Sequence, residues 1–408
     1  MLYRNGLINI EKMLAQFPVV ALIGARQTGK TTLARMVGKD WQYIDCQNKD
    51  TLPQSLSVIF ERYPEQLILD EVQALPEITD ILRGVIDKNR GQNGRFIITG
   101  SSSPELLSQV ADSLAGRVAI VEVGTLKLNE IFQKPFSKFF DILRIPINKH
   151  TKDEVLSLSP VTDIASVYES IFTGGYPEPV VRGDDEFRET WFSQYFSTYV
   201  DRDIRALFPG LNLNTYRLLI RSLADLHGGQ INISDLSRII GVSDVTVRSY
   251  LDIAHATFVW RRLESYQSSA LRSAMKMPKG YFRDSGLVRH LMHIFSREHL
   301  ESHPKFGNIF EGFVIEELMK GFNASAPVTV KPYYLRTRGG FEVDLILEGI
   351  FGTIPIEIKS AANLDTRKLR SLAEFVEEQN LAFGLVINQG AKPELLDSNI
   401  IQLPVSYL

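Results

Sequence analysis

A chain of 408 residues is longer than one hydrophobic core usually serves, so two or three domains are expected. With 44% hydrophobic and 23% charged residues it has an ordinary globular composition, and 45 Lys and Arg against 48 Asp and Glu leave a net charge of −3, which excludes a global basic field for holding nucleic acid. Cys46 is the one cysteine, which excludes an intrachain disulfide and any cysteine-based zinc site and fits a reducing compartment.

Glu11 and Lys12 interrupt the apolar residues of Met1–Ala15, unlike a signal peptide, and no apolar run approaches transmembrane length. A cytoplasmic protein with no membrane contact is expected. Val19 to Ile23 then predicts a buried strand. It meets Gly24-Ala25-Arg26-Gln27-Thr28-Gly29-Lys30-Thr31, and a helical pattern with Leu33, Met36 and Val37 follows. A glycine-rich loop between strand and helix is the Walker A arrangement, in which backbone N–H groups and the helix N-terminus face phosphate. Gly24 to Thr32 is the expected nucleotide cradle, with Lys30 reaching the β- and γ-phosphates and the hydroxyl of Thr31 ligating Mg²⁺.

Trp41 to Cys46 predicts a second strand and Leu52 to Tyr63 a helix. Gln66 to Glu71 is an apolar strand ending in two acids, a Walker B pattern. Asp70 is expected to hold Mg²⁺, and Glu71 to orient and deprotonate the attacking water. Residues 77 to 90 read as a helix and Arg95 to Gly100 as another strand. Thr99 or Ser101, at its end, suits a sensor of the γ-phosphate, while Ser103 before Pro104 and Glu105 suits a helix N-cap. Arg117, ahead of a fifth strand from Val118 to Val123, either supplies charge to a γ-phosphate, in its own subunit or across an oligomer interface, or pairs with a surface carboxylate.

Gly24 to Thr31, Leu67 to Glu71, Ile97 to Ser101 and Leu114 to Arg117 together resemble the AAA+ ATPases. In particular they resemble the bacterial and archaeal members that join this ATPase to a C-terminal domain of uncharacterised function. Phe172-Thr173-Gly174-Gly175-Tyr176-Pro177-Glu178 and Tyr195 to Ile204 resemble the start of that second half. The resemblance implies ATP and Mg²⁺ as ligands and a sensor strand lying between the P-loop and Walker B strands.

Residues 137 to 165 have no clear period and read as a linker or variable insertion. Trp191 to Leu207 predicts a long helix whose Arg202, Asp203 and Arg205 are better explained by a solvated ion-pair face than by nucleotide sensing. From residue 213 to 265, a helix, a short helix capped by Ser234, a turn at Gly241-Val242-Ser243, a second helix from Asp244 to His255 and a β-wing resemble a winged helix. The recognition helix offers only Arg248 against Asp244 and Asp252, so packing or protein docking suits it as well as base readout.

Arg272 to Gly286 is basic, with Lys276, Lys279 and Arg283 interleaved with Tyr281 and Phe282, and reads as a phosphate contact or as an ordinary loop and strand with solvated lysines. On the helix Ile309 to Lys320, Glu311 falls in line with Val314, Ile315 and Leu318, which turns a carboxylate inward. Phe341 to Leu347 and Ile354 to Lys359 predict a hairpin with Ile354, Ile356 and Ile358 on one face and Glu357 and Lys359 on the other. Asp344…Glu357-Ile358-Lys359, with Glu311 upstream, resembles the PD-(D/E)xK nuclease core. The resemblance implies Mg²⁺ on Asp344 and Glu357 and a phosphate- or hydroxide-steadying Lys359. A ribbon with a solvated Glu-Lys face is the alternative, and Pro355 hints at an edge strand.

The expected organisation is α/β: a P-loop parallel sheet flanked by helices over residues 1–135, a linker and helical segment over 136–210, a winged-helix-like segment over 211–270, and a restriction-endonuclease-like domain over 271–408. The expected function is ATP hydrolysis whose nucleotide state controls the C-terminal domain in acting on DNA. The alternative makes that domain a silent docking platform for protein partners.

Overall fold

The computed structural model describes residues 2–48, 50, 52–101, 114–267, 277–325, 329–337, 339–362, 364 and 369–408. They divide into two units, one essentially of residues 4–125 and the other of residues 126–255 with 259–408. Among the described residues, no helix is long and apolar enough to cross a membrane.

The first unit is built on β1 (Val19–Gly24), whose six residues are all buried. Such a continuous apolar run is what a strand covered on both faces requires. Around it stand α1 (Gly6–Leu14), α2 (Lys30–Val37), β2 (Gln42–Asp45), α3 (Ser57–Arg62), β3 (Leu67–Asp70), α4 (Glu77–Lys88), β4 (Phe96–Ser101) and β5 (Val118–Glu122). The five strands are parallel in the order β2-β3-β4-β1-β5. β4 therefore lies between the P-loop strand and the strand ending in Asp70. Because the strands run one way, the loop after Gly24, the turn after Asp70 and the backbone of Ser101, paired with Gly24, emerge at one edge, where parallel sheets place their ligands. Ser103, in the stretch read as a cap, falls outside the described residues.

In the second unit, the three segments separated on sequence grounds share one core that runs from Leu128 to Leu408. Residues 137 to 165 are no loose linker. They form the short helices Phe139–Ile142 and Thr151–Leu156, and Phe139, Phe140, Leu143 and Val155 are fully buried. Helices of four to six residues are too short to show a 3.6-residue period, so their apolar residues looked scattered. The long aromatic helix is present as Asp185–Thr198, continued by a π-helical turn, Tyr199–Ile204, and by Arg205–Leu207.

The helices Leu213–Asp225, Ile233–Ile240 and Asp244–Ala256 follow, then β6 (Trp260–Ser265) paired antiparallel with β7 (Lys279–Phe282). The cap of the short helix is Asn232, not Ser234: Asn232 Oδ1 accepts from the N–H of Ser234 (3.0 Å) and Asp235 (3.3 Å). This hairpin is no isolated wing. It continues an eight-stranded sheet of order β12-β13-β11-β10-β9-β8-β6-β7. The remaining strands are β8 (Lys331–Arg336), β9 (Glu342–Gly349), β10 (Gly352–Ile358), β11 (Gly384–Asn388), β12 (Glu394–Asp397) and β13 (Ile400–Pro404).

β10 is interior rather than at an edge, as Pro355 had suggested. Pro355 pairs with Ile346 of β9, while β11 pairs only from Ile356 onward, so the missing N–H falls short of that ladder. The isoleucine face of β10 joins the main core with the helix Phe306–Ser325, and the helix Arg370–Glu378 packs on β9, β10 and β11 over a smaller cluster containing Ile346, Leu372, Phe375 and Val386. The face carrying Glu357 is therefore buried, not solvated.

Candidate functional site

The phosphate loop is fixed from both sides. Gly24 has φ +148°, and a Cβ there would lie 2.2 Å from the carbonyl oxygen of Val123, so only glycine fits. Gln27 and Gly29 take positive φ and curl the loop back into α2. Thr28, fully buried, donates from Oγ1 to Ala25 O (3.0 Å). Arg4, from outside the motif, donates to Thr28 O (2.7 Å) and Gly124 O (2.9 Å). Lys30 is buried and its ammonium folds back onto the carbonyls of Gly24 (3.0 Å) and Ala25 (2.7 Å). Arg26 is half-buried, and Gln27 and Thr32 are exposed.

Asp70 is the hub of the carboxyl edge. Its oxygens accept from Thr31 Oγ1 (3.0 and 2.9 Å), from the Tyr43 phenol (2.7 Å) and from the Thr99 hydroxyl. The Tyr43 hydroxyl is held protonated by burial and by its bond to Asp70. A hydroxyl and a carboxylate side by side are the hard oxygen donors that Mg²⁺ takes, so this pair fits that ion. Glu71 adopts the left-handed region (φ 54°, ψ 50°), which a non-glycine residue holds only at a cost. Its N–H donates to Thr99 Oγ1 (3.2 Å), and its carboxylate accepts from the Gln73 amide. Thr99 thus bonds both acids of the β3 terminus.

Arg117 is not brought to the loop. It precedes β5, and Val118 pairs with Val19 at the start of β1, so it sits at the opposite edge of the sheet. Six residues of strand separate the edges by roughly 20 Å. There it makes a bidentate pair with Asp87 (2.9 and 3.0 Å), the surface pairing that was one of its two expected roles. Two bonds from this guanidinium hold the Asp87 carboxyl below its usual range.

The second unit gathers Glu311, Asp344, Glu357 and Lys359. Lys359 Nζ lies 2.5 Å from Glu357 Oε1 and 3.6 Å from Asp344 Oδ2, and Asp344 Oδ2 also accepts from the N–H of Ile358 (2.9 Å). Glu311 accepts from the phenol of Tyr281 (2.6 Å) and from Lys279 (3.3 Å), whose ammonium is also 3.0 Å from Glu342 and 4.0 Å from Asp344. Burial, then the nearby Asp344 charge, pushes Glu311 up to about 7 and Glu357 up to about 8. Burial disfavours the Lys279 ammonium, but Glu311, Asp344 and Glu342 outweigh it and the pKa rises. Glu357 Oε2 is buried and, among the described residues, has no hydrogen-bond partner. The carboxylate oxygens and this orphan acceptor suit a hard divalent cation. Among the described residues, no group of three or more His, Cys, Asp or Glu side chains converges as a ready-made metal centre.

Sequence reasoning missed Arg4, Tyr43 and Gln73, which lie outside the motifs they support. It treated Lys279 and Tyr281 as surface residues. Their alternation, Lys279 and Tyr281 two apart on one face of a strand, was the available signal.

Family models match three stretches: an AAA domain over residues 16–132, a domain of unknown function (DUF8612) over 164–298 and another domain of unknown function (DUF4143) over 306–408. An uncharacterized protein of Mycobacterium tuberculosis is 28% identical over 410 residues, covering 99% of this chain and 84% of its own length. An uncharacterized protein of Methanocaldococcus jannaschii is 24% identical over 360 residues, 84% of this chain and 74% of its own length. Among solved structures, the Walker-type ATPase PABY2304 of Pyrococcus abyssi aligns with a TM-score of 0.40 and 13% identity over 70% of this chain and 94% of that one. The chain thus carries an N-terminal AAA P-loop domain and a C-terminal domain to which its family description gives no activity.

Proposed function

We propose that the AAA domain binds ATP with Mg²⁺ and hydrolyses it, and that its nucleotide state controls a phosphodiester-cleaving site in the C-terminal unit that acts on DNA. The observation that carries the first part is the convergence of Lys30, Thr31, Asp70, Thr99 and Glu71 at one edge of a parallel sheet. Lys30 exchanges its loop carbonyls for β- and γ-phosphate oxygens, countering charge where it builds up in phosphoryl transfer. Thr31 and Asp70 would hold Mg²⁺, which would supply positive charge against the charge that develops on the phosphates. Glu71 aligns the attacking water and accepts its proton, while Gln73 and Thr99 fix its carboxylate and backbone.

In the C-terminal unit, Asp344 and Glu357 would hold a divalent cation, which would supply Lewis-acid chemistry at the scissile phosphate. Lys359 steadies the hydroxide or the phosphate. One observation favours a second reading, a silent domain used to dock a protein partner: the ammonium groups of Lys279 and Lys359 already neutralise the acids.

Lys30→Ala should abolish nucleotide binding or turnover, and Glu71→Gln should retain ATP without releasing phosphate. Undiminished phosphate release by both variants would end the ATPase reading. DNA incubated with Mg²⁺ or Mn²⁺ and the wild type should be cut, with loss in Asp344→Ala and Lys359→Ala. Equal cutting by all three marks a contaminant, and cutting by none favours docking.

A further inference from the structure

Lys279 is an unusual place for a cation. It stands at the start of β7, in the antiparallel pair that follows the helix Asp244–Ala256, yet its side chain is only 5% exposed. Lysine ordinarily stretches its stem along a surface and leaves its ammonium in water. Burying an ammonium costs several kcal/mol unless it is well paired. Here the head group reaches three acids on two different elements: Glu311 on the long helix, and Glu342 and Asp344 on β9. Tyr281, fully buried, takes the same oxygen of Glu311, and the Tyr334 ring lies 5.5 Å from the ammonium.

The acids are thereby partitioned. Glu311 and the Oδ1 side of Asp344 are engaged by Lys279. Lys359 takes Oδ2 of Asp344 and Oε1 of Glu357, leaving Glu357 Oε2 buried and without a partner among the described residues. Glu357 Oε2 is thus the acceptor that no described group engages, whereas Oε1 of Glu311 is held by both Lys279 and Tyr281. Two-metal hydrolytic sites place their ions about 3.5–4 Å apart between shared carboxylates. The ammonium of Lys279, 3.3 Å from Glu311 and 4.0 Å from Asp344, fills the space between two such acids.

We propose that Lys279 is the built-in cation of this cluster, filling the place of a second metal ion between Glu311 and Asp344, so that the site takes a single divalent cation on Asp344 and Glu357. The inference rests on the metal-binding reading of the C-terminal unit given above. It makes Lys279 a positioning residue contributed by the β6–β7 hairpin.

The test is Mn²⁺ stoichiometry, read by electron paramagnetic resonance on the full chain without nucleotide, with Asp344→Asn defining the specific component. The expected result is one Asp344-dependent Mn²⁺ in the wild type and two in Lys279→Met, the second lost again in Lys279→Met/Glu311→Gln. Two specific ions in the wild type would overturn the inference with no variant needed. So would a folded Lys279→Met protein that still binds one. No specific Mn²⁺ in either protein would instead remove the metal reading on which the inference rests. Should Lys279→Met melt early, the wild-type count still decides, and Lys279→Arg, which keeps the charge, must hold the count at one.

Discussion

The phenol of Tyr43 donates a 2.7 Å hydrogen bond to Asp70, from the neighbouring strand and from outside either nucleotide-binding motif. Arg35 lies 3.8 Å over the same ring, so the tyrosine is fixed before it touches the acid. Outer partners of metal-holding groups matter at about 10–100-fold in metal affinity or activity. Tyr43→Phe keeps the ring and removes only this bond. The Mg²⁺ concentration for half-maximal ATP hydrolysis should rise about tenfold, while binding of nucleotide in the presence of chelator stays unchanged. An unaltered Mg²⁺ dependence would show that Thr31 and Thr99 suffice to hold Asp70.

Gly24→Ala carries two penalties in one atom. Its Cβ meets the backbone oxygen of Val123 at 2.2 Å, where no side chain can swing away, and the residue must keep φ at +148°. Overpacking of this kind costs about 1–3 kcal/mol, sometimes more. Gly84→Ala is the fitting control, since nothing lies within 4 Å of its Cβ in the middle of α4. There alanine should stabilise by roughly 0.5–1 kcal/mol through helix propensity. Chemical denaturation of the two variants, with nucleotide binding measured alongside, should move in opposite directions for stability and show loss of binding for Gly24→Ala alone.

What could be read in advance was what lies close in sequence. The stretch Gly24 to Thr31 is contiguous, and Asp344 and Glu357 lie on two strands of one hairpin whose alternation sets their faces, so strand and loop chemistry alone brought them together. The edge position of Arg117 was also within reach, because a residue ahead of a parallel strand cannot share the edge with a loop that follows one. For Lys279 the sequence offered only a strand face shared with Tyr281, not its partners. Those partners lie more than thirty residues away on other elements, and β7 is an edge strand of a sheet most of whose strands come later in the chain. Arg4 likewise reaches Thr28 and Gly124, 24 and 120 residues along the chain.

The buried titratable groups of the second unit give it a defined pH response. Glu311 and Glu357 are raised to about 7 and about 8, so the stability linked to them is full below the unfolded carboxyl range and is lost as pH rises through those values. His227 and His255 are pushed down by burial to about 3 and about 4, so their contribution is full above the ordinary histidine pKa and is lost as pH falls. The two effects oppose each other below about pH 6.5, the ordinary histidine value. Above it only the glutamates act. In metal-free buffer, the melting temperature read from Trp191 and Trp260 should therefore fall from pH 6.5 to 8.5, and Glu357→Gln should flatten that slope. A divalent cation should flatten it in the wild type too. A melting temperature that climbs over this interval would contradict the burial of both acids.

Phe140 tests whether residues 137 to 165 belong to the second unit's core. Its ring is fully buried, stacks on Phe136 at 5.1 Å and meets Phe139 and Phe322 edge-on at 5.4 and 5.2 Å. It also covers Gly321, where a Cβ would lie 2.0 Å from its Cζ, so the long helix Phe306–Ser325 is notched to receive it. Large-to-small truncation of a buried phenylalanine costs about 3–5 kcal/mol, because transfer and cavity terms add. A linker phenylalanine would cost almost nothing. Phe140→Ala should thus lose about 3–5 kcal/mol in urea denaturation, with the loss confined to the transition that also reports Trp191 and Trp260. Gly321→Ala should destabilise the same transition by overpacking against the ring. In the double variant Phe140→Ala/Gly321→Ala the methyl enters the space the ring vacates, so the combined loss should be smaller than the two single losses added together. Strict additivity would mean that the ring and the notch are not packed as a pair.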